Sequence, residues 1–177
     1  LAVARLQLGN ALREAEDFDG AIAAYEAYLA EKPDDAAAHL GIGMAHFGAG
    51  RFEAAMTAHD LAITFDPGFA EAYSSIGAML SERGQYQMSL PFHERAVALA
   101  PTVPEWKSEL ALNLLRLELF AQGWEFYETR CECETKTIIR HAAPPPYWAG
   151  GNLAGKRLKI WMEQGIGDQI LFSSLLP

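Results

Sequence analysis

Three prolines recur at one fixed spacing along the chain. Pro33, Pro67 and Pro101 each lie 34 residues after the one before. Three further series keep this spacing at other places in the unit: Gly9, Gly43, Gly77 and Ala111; Ala21, Ala55, Ser89 and Gly123; and Tyr25, His59, His93 and Tyr127. Series that share one period indicate an internal repeat, so we expect an array of similar units rather than a single core.

Each series predicts a mechanical role within a unit of two helices. Small residues on facing helices, such as Gly43 and Ala55, allow close approach, and the ring of the Tyr25 series fills the space beside that contact. Each proline follows the second helix and ends it. Gly50 and Gly84 fall between the two helices, where tight turns are expected. The predicted unit is a helix hairpin whose apolar face stays uncovered until the next hairpin stacks on it.

A characteristic set of residues recurs in each unit. The first unit contains a large residue beside a glycine, a leucine one turn later, a spaced alanine and aromatic residue, and a closing proline. These residues are Leu8, Gly9, Leu12, Ala21, Tyr25 and Pro33. Over residues 2–131 this pattern resembles the tetratricopeptide repeat family, which implies an all-α fold in which the hairpins stack into a right-handed superhelix. We expect helix pairs near 2–15 and 18–31, 36–49 and 52–65, 70–83 and 86–99, and 104–117 and 120–132. The fourth unit departs from the pattern at Arg130 and Thr135, so we expect it to cap the array.

By the same resemblance, the first helices build a concave wall that holds an extended peptide or a helix of another protein. The residues expected on this wall are Gln7, Asn10, Arg13, Leu40, Met44, Phe47, Ser74, Ser75, Ser81 and Glu109. Arg13 and Asn10 lack companion lysines, so the clamp with which chaperone-binding relatives hold a terminal carboxylate is incomplete. The asparagine ladder of the O-GlcNAc transferase array is absent. An apolar spot around Leu40, Met44 and Phe47 is predicted either to contact a partner or to pack within the protein.

Charge is unevenly distributed and limits the classes of partner. Residues 1–129 carry 8 Lys and Arg against 19 Asp and Glu, whereas residues 130–177 carry 6 against 4. An acidic array repels phosphate backbones, so we expect no nucleic acid partner, and acidity favours basic partners instead. No apolar stretch reaches the roughly 20 residues that span a bilayer, so no membrane span is expected. The first residues do not form a secretory signal, which favours a cytoplasmic location.

Histidines and cysteines give little support to a metal site. The array contains His39, His46, His59 and His93. All four fall where the repeat places large packing residues, so half-buried, hydrogen-bonded imidazoles are expected. Structural zinc takes four ligands, commonly with paired cysteines that have two residues between them in the chain. Cys131 and Cys133 are the only cysteines and are separated by one residue, so we expect neither a metal nor a cofactor.

A proline- and glycine-rich stretch after the array indicates a domain boundary. We expect the array over residues 1–132, a linker over 133–156 and the truncated start of an α/β domain over 157–177. This last segment reads as a strand, a glycine loop and a helix, the opening unit of a doubly wound domain. Ile170 stands where the dinucleotide fingerprint needs its third glycine, so NAD or FAD binding is not supported.

The end of the chain contains a set of aromatic, glycine and acidic residues: Tyr147, Trp148, Gly150, Leu153, Gly155, Lys156, Glu163, Gln164, Gly165, Gly167 and Asp168. This set resembles the junction in bacterial proteins between tetratricopeptide repeats and a heptosyltransferase-like glycosyltransferase of the GT-B fold. The resemblance implies that the loop of Gly165 and Gly167 meets an anionic sugar or phosphate group. It also implies that Asp168 is the general base on an acceptor hydroxyl. The alternative role for Asp168 is a helix N-cap.

Three functions stay open from the sequence. The first is a binding module, cut from a larger protein, that holds a protein or peptide in its groove. The second is the front portion of a glycosyltransferase whose array positions the acceptor. One strand and one helix cannot build a sugar-nucleotide cleft, so the fragment alone is not expected to be an enzyme. The third is self-association into a homo-oligomer through the array ends or the strand at 157–162.

Overall fold

A computed structural model describes residues 2–127, which form eight α-helices joined by short turns. The helices are α1 Ala2–Glu14, α2 Phe18–Leu29, α3 Ala36–Gly48, α4 Phe52–Phe65, α5 Ala70–Glu82, α6 Tyr86–Leu99, α7 Pro104–Arg116 and α8 Phe120–Tyr127. The first seven end within two residues of the positions that the repeat predicts. No strand occurs between residues 2 and 127, so the all-α prediction is confirmed for this part of the chain.

The helices pack as four stacked hairpins with one crowded side. Consecutive helices are in contact throughout the stack, from α1 with α2 to α7 with α8. The first helices of successive hairpins also touch one another, α1 with α3, α3 with α5 and α5 with α7. Within the described helices no such contact joins α2 to α4, α4 to α6 or α6 to α8. A curved stack brings its inner elements closest together, so α1, α3, α5 and α7 form the concave wall.

A buried ring at the centre of each of the first three hairpins explains the glycine series. Tyr25 is fully buried, and a Cβ atom added to Gly9 or Gly41 would lie 2.6 Å from a carbon of its ring. Gly9 belongs to the same hairpin as Tyr25 and Gly41 to the next, so this ring packs across the junction of two repeats. The same contact with the glycine of its own hairpin recurs one and two units later: His59 on Gly43 and His93 on Gly77.

The turn inside each hairpin contains one residue in the left-handed region of backbone conformation. Gly50 and Gly84 have φ of 73° and 74°, as the predicted tight turns require. Glu16 and Glu118 stand at the equivalent positions of the first and fourth hairpins, with φ of 60° and 62°. A residue with a Cβ atom is disfavoured in this region by about 1–2 kcal/mol, so the two glutamates carry strain that the glycines avoid.

Replacing Glu118 with glycine is expected to raise the free energy of unfolding by about 0.5–1 kcal/mol. Relief of the left-handed strain outweighs the extra freedom that glycine gives the unfolded chain. Gly50→Ala is the matched control, expected to lower stability by about 1 kcal/mol through backbone conformation alone, because nothing lies within 4 Å of the added Cβ. Urea unfolding followed by circular dichroism measures both variants. An unchanged or lowered stability of Glu118→Gly would contradict the strain.

The described helices belong to one compact unit, Leu1–Arg130. The predicted linker at 133–156 and the strand, loop and helix at 157–177 lie outside the described residues, and so do Gly165, Gly167 and Asp168. These parts of the sequence interpretation stay predictions. Between residues 2 and 127, none of the helices combines the length and the apolar composition that crossing a membrane requires.

Candidate functional site

Three clefts open along the inner wall of the stack. The amino-terminal cleft, of about 250 Å³, is lined by residues that include Asn10, Arg13, Glu14, Met44, Phe69 and Glu71. The central cleft, of about 400 Å³, is lined by residues that include Arg13, Phe18, Met44, Phe47, Ser75 and Ala78. The carboxy-terminal cleft, of about 360 Å³, is lined by residues that include Ala78, Ser81, His93, Glu109, Asn113 and Arg116.

Neighbouring clefts share lining residues. Arg13 and Met44 line both the amino-terminal and the central cleft, and Ala78 lines both the central and the carboxy-terminal cleft. The three clefts therefore adjoin and form one trough, to which α1, α3, α5 and α7 all contribute side chains. A surface of this length and continuity is suited to an elongated ligand rather than to a small compact one.

The trough contains eight of the ten residues that the sequence predicts for the groove: Asn10, Arg13, Leu40, Met44, Phe47, Ser75, Ser81 and Glu109. Gln7 is exposed but lines none of the three clefts, and Ser74 is only 7% exposed. Leu40 touches the amino-terminal cleft, yet it is 4% exposed and packs in a core cluster with Ala62 and Ala72. Most of this side chain therefore packs successive hairpins together, which is one of the two roles predicted for the apolar spot, and its contact with a ligand stays a prediction.

The central cleft joins apolar side chains to a charged one. Met44 and Phe47 line it from α3 and are half-buried, and Met44 also packs against the core cluster of Leu40. Arg13 lines the cleft from α1, and its Nε atom is buried without a hydrogen-bond partner. An apolar surface with a few polar groups at its edge is typical of a binding site for a protein segment.

A polar cluster occupies the carboxy-terminal cleft. Ser81 Oγ lies 3.0 Å from Ser89 Oγ and 3.1 Å from His93 Nε2. Asn113 Nδ2 donates to Ser81 Oγ at 3.2 Å and also to Ser89 Oγ. Ser89 in turn donates to the carbonyl oxygen of Tyr86 at 3.0 Å. Ser89, His93 and Asn113 are at most 2% exposed, so this cluster is a buried hydrogen-bond network.

Glu109 adds a carboxylate to this cluster from α7. Ser74 Oγ donates to Glu109 Oε2 at 3.2 Å, and His93 Nδ1 lies 3.8 Å from the same oxygen. Burial raises the pKa of Glu109; the Ser74 hydrogen bond opposes this shift, and the charge of Glu105 adds to it. Burial lowers the pKa of His93 to about 4, against a smaller opposing effect of a hydrogen bond to the Gly77 backbone. His93 is therefore uncharged near pH 7.

Ser81, His93 and Glu109 are the three residue types of a hydrolase catalytic triad, a serine, a histidine and a carboxylate, but they lack its geometry. The 3.8 Å between His93 Nδ1 and Glu109 Oε2 is beyond hydrogen-bond distance. With a pKa of about 4, the imidazole is a poor general base at neutral pH. Ser81 Oγ is also engaged by Ser89 and Asn113. The cluster offers hydrogen-bonding groups to a ligand and no activated nucleophile.

The repeat period contains a signal for this cluster that the sequence interpretation missed. The positions equivalent to Asn113 in the earlier hairpins hold Ala11, Ala45 and Met79. A polar residue where the other repeats place apolar ones indicates a local change of environment. Comparing every position across the four units, rather than only the glycine, alanine, ring and proline series, identifies Asn113 as a candidate site residue.

His39 and His46 are half-buried, as predicted, whereas His59 and His93 are more deeply buried than expected. His59 is 1% exposed, burial lowers its pKa to about 4, and its Nδ1 atom has no hydrogen-bond partner. Within residues 2–127, no three or more His, Cys, Asp or Glu side chains are grouped so as to hold a metal ion. Cys131 and Cys133 lie outside the described part of the chain.

Stacked hairpins with a ligand-sized trough on the inner wall define a helical repeat scaffold, the class of protein that presents an extended surface to other proteins. Two sequence profiles, both described as Tetratricopeptide repeat, match residues 6–68 and residues 69–100. Together these matches cover more than half of the chain. The chain belongs to the tetratricopeptide repeat family.

Three proteins of related sequence or structure each match part of this chain. Protein FlbA of Caulobacter vibrioides is 42% identical over 67 residues, which are 38% of this chain and 11% of FlbA. MamA of Desulfovibrio magneticus RS-1 superposes with a TM-score of 0.65 at 21% identity, over 74% of each chain. The first TPR of Spaghetti (RPAP3), bound to the HSP90 peptide SRMEEVD, superposes with a TM-score of 0.62 at 23% identity, over 66% of this chain and 95% of that one. The chain thus spans a small part of its curated relative, and the two structures share its fold.

Proposed function

We propose that the array holds a segment of another protein in the trough along its concave wall. The observation that carries this proposal is the continuity of the three clefts, which share Arg13, Met44 and Ala78 and receive side chains from all four inner helices. A segment lying along the trough contacts every hairpin at once, so many weak contacts add up over its length.

The solved structure of the first TPR of RPAP3 supports the proposal, because a hairpin array of the same fold holds a peptide there. The likeness at 23% identity concerns the fold, so it supports the mode of binding and not the identity of the peptide. Here the central cleft supplies the apolar contacts through Met44 and Phe47, and the charged groups at its edge orient the segment.

Met44→Glu is expected to weaken binding of trough ligands at least tenfold, because a charge placed against an apolar ligand surface is desolvated without a partner. Peptides are first selected on the unchanged chain from a phage-displayed random library and then synthesised. Fluorescence anisotropy measures their affinity for the unchanged chain, for Met44→Glu and for Phe47→Glu. Met88→Glu is the matched control, since Met88 is 59% exposed on α6 and lines none of the three clefts.

Three results would contradict the proposal. No peptide is selected, or Met88→Glu weakens binding as much as Met44→Glu does, or Met44→Glu leaves the affinity unchanged. Because Met44 also touches the core, circular dichroism accompanies each variant. Arg13→Gln provides a second variant with little risk to the fold, since Arg13 lines both the amino-terminal and the central cleft. It is expected to change affinity severalfold with unchanged helicity.

For the parent protein, we propose the glycosyltransferase origin that the tail resembles, with the array positioning the acceptor. In that protein Asp168 is the general base, and Gly165 and Gly167 form the anion-binding loop. The downstream coding sequence tests this directly: about two hundred further residues in alternating strand and helix pattern are expected. A stop codon after Pro177 contradicts it. Self-association is separated from peptide binding by light scattering with and without residues 150–177, in which an unchanged mass per particle rejects pairing through the tail.

A further inference from the structure

The trough carries an excess of negative charge. Its lining contains five glutamates and two arginines: Glu14, Glu16, Glu71, Glu82 and Glu109, against Arg13 and Arg116. His59 and His93 also line it, and burial keeps both uncharged near pH 7 by lowering each pKa to about 4. The peptide SRMEEVD held by RPAP3 is rich in acidic residues. Charge complementarity gives this trough the opposite preference, for a basic segment.

The hydrogen bonds around Asn113 determine which end of its side-chain amide is the nitrogen and which is the oxygen. Ser89 has a single hydroxyl proton and donates it to the carbonyl oxygen of Tyr86. Ser89 Oγ can therefore only accept from Asn113, so the amide group that faces it is the nitrogen. Oδ1 of Asn113 is left buried with no hydrogen-bond partner, in a residue that lines the carboxy-terminal cleft and is 2% exposed. A donor that arrives through the cleft relieves the cost of this unpaired acceptor.

Glu109 is a second acceptor in the same cleft. Its side chain is 41% exposed, and its Oε2 atom accepts one hydrogen bond, from Ser74. The cleft already contains one cation, Arg116, whose guanidinium lies 5.0 Å from the centroid of the Tyr86 ring and donates to the Tyr86 hydroxyl, and no ion pair joins it to Glu109. The residues that line the cleft thus supply a carboxylate and a buried, unpaired amide oxygen, and both groups accept hydrogen bonds.

We propose that the carboxy-terminal cleft binds a lysine or arginine side chain of the partner segment, with the Glu109 carboxylate as its counter-ion and Asn113 Oδ1 as a hydrogen-bond acceptor. An ammonium or guanidinium group has donors only, which matches two acceptors. Leu112 is 47% exposed in the same cleft and covers the methylene stem of such a side chain. This inference rests on the proposed function of the trough and adds the chemical class of the residue that the partner inserts.

The peptides selected on the unchanged chain test this proposal. They are expected to be enriched in lysine or arginine relative to the starting library. Glu109→Gln is expected to weaken their binding at least tenfold, and Glu94→Gln, the matched control at an exposed glutamate of α6 that lines none of the three clefts, less than threefold. Replacing the basic residue of the peptide by norleucine is expected to abolish the difference between the unchanged chain and Glu109→Gln. In nitrogen-15 spectra of the unchanged chain, the side-chain amide of Asn113 is expected to shift when the peptide is added.

Selected peptides that bind without a basic residue overturn the inference and leave the proposed function intact. Equal losses from Glu109→Gln and Glu94→Gln overturn it as well, because a general charge effect then explains the binding. An unmoved Asn113 amide resonance with a bound basic peptide places the cation elsewhere in the trough and also overturns it. If no peptide binds, the proposed function itself fails, and the inference fails with it.

Discussion

Replacing Tyr25 with alanine is expected to lower the free energy of unfolding by about 4 kcal/mol, within the range for removing a buried aromatic ring. The ring is 0% exposed and packs between the glycines of two successive hairpins, Gly9 and Gly41. Its removal leaves a cavity at the junction of repeats one and two, where neither backbone can supply atoms to fill it. Urea unfolding followed by circular dichroism measures the loss.

The phenylalanine variant separates packing from hydrogen bonding. Tyr25→Phe keeps the ring and removes only the hydrogen bond from the hydroxyl to Asn10 Oδ1, which is 2.7 Å long, so it is expected to cost about 1 kcal/mol. In Tyr25→Ala, amide exchange is expected to accelerate most in α1 and α2, because each repeat is stabilised by its neighbours. Equal costs of the two variants, or uniform acceleration along the whole array, would show that the ring does not join these hairpins.

The helices were predictable because residues close to each helix end determine where the helix begins and ends. Pro67 and Pro101 follow α4 and α6 by two residues, and Gly50 and Gly84 stand in the turns of the second and third hairpins, so the 34-residue period extends these boundaries to the other units. The turns at Glu16 and Glu118 keep the backbone conformation of the repeat although the residue type has changed. Both glutamates adopt the left-handed backbone of Gly50 and Gly84, because the hairpin geometry imposes it on whatever residue stands there.

The site was less predictable because burial on the inner wall depends on how adjacent hairpins pack. Leu40 and Met44 are four residues apart and share a face of α3. Both touch the core cluster of Ala62 and Ala72, but Leu40 is 4% exposed and lines one cleft, whereas Met44 is half-buried and lines two. Helix periodicity assigns both to one face and cannot say which one the next hairpin covers.

The polar cluster could not be predicted either, because no single helix contains it. Ser81, Ser89 and Asn113 lie on three different helices and meet only when the third and fourth hairpins stack. In the sequence Ser89 reads as one small residue of the packing series, and its hydroxyl looks incidental. Its hydrogen bonds give it a specific role, because they orient the nitrogen of the Asn113 amide toward α6 and leave the oxygen without a partner.

Lowering the pH from 8 to 5 is expected to destabilise the array by about 4 kcal/mol through two histidines. Burial lowers the pKa of His59 and of His93 from 6.5 to about 4 in the folded chain. The unfolded chain therefore binds more protons between pH 6.5 and 4, and stability falls as pH falls through this window. At pH 5 each histidine contributes a loss of roughly 2 kcal/mol, and urea unfolding at a series of pH values measures their sum together with the contributions of the other titrating groups.

His59→Phe isolates the contribution of one histidine. Phenylalanine keeps a ring on Gly43 but binds no proton, so between pH 8 and 5 the variant is expected to lose about 2 kcal/mol less stability than the unchanged chain. The stability of each protein at pH 5 is compared with its own stability at pH 8, so any difference in packing between phenylalanine and histidine cancels. Glu109, whose raised pKa gives the opposite pH dependence, is present in both proteins and cancels in the comparison. Parallel losses in the two proteins would mean that His59 takes up its proton in the folded array as readily as in the unfolded chain, contrary to its burial beside Gly43.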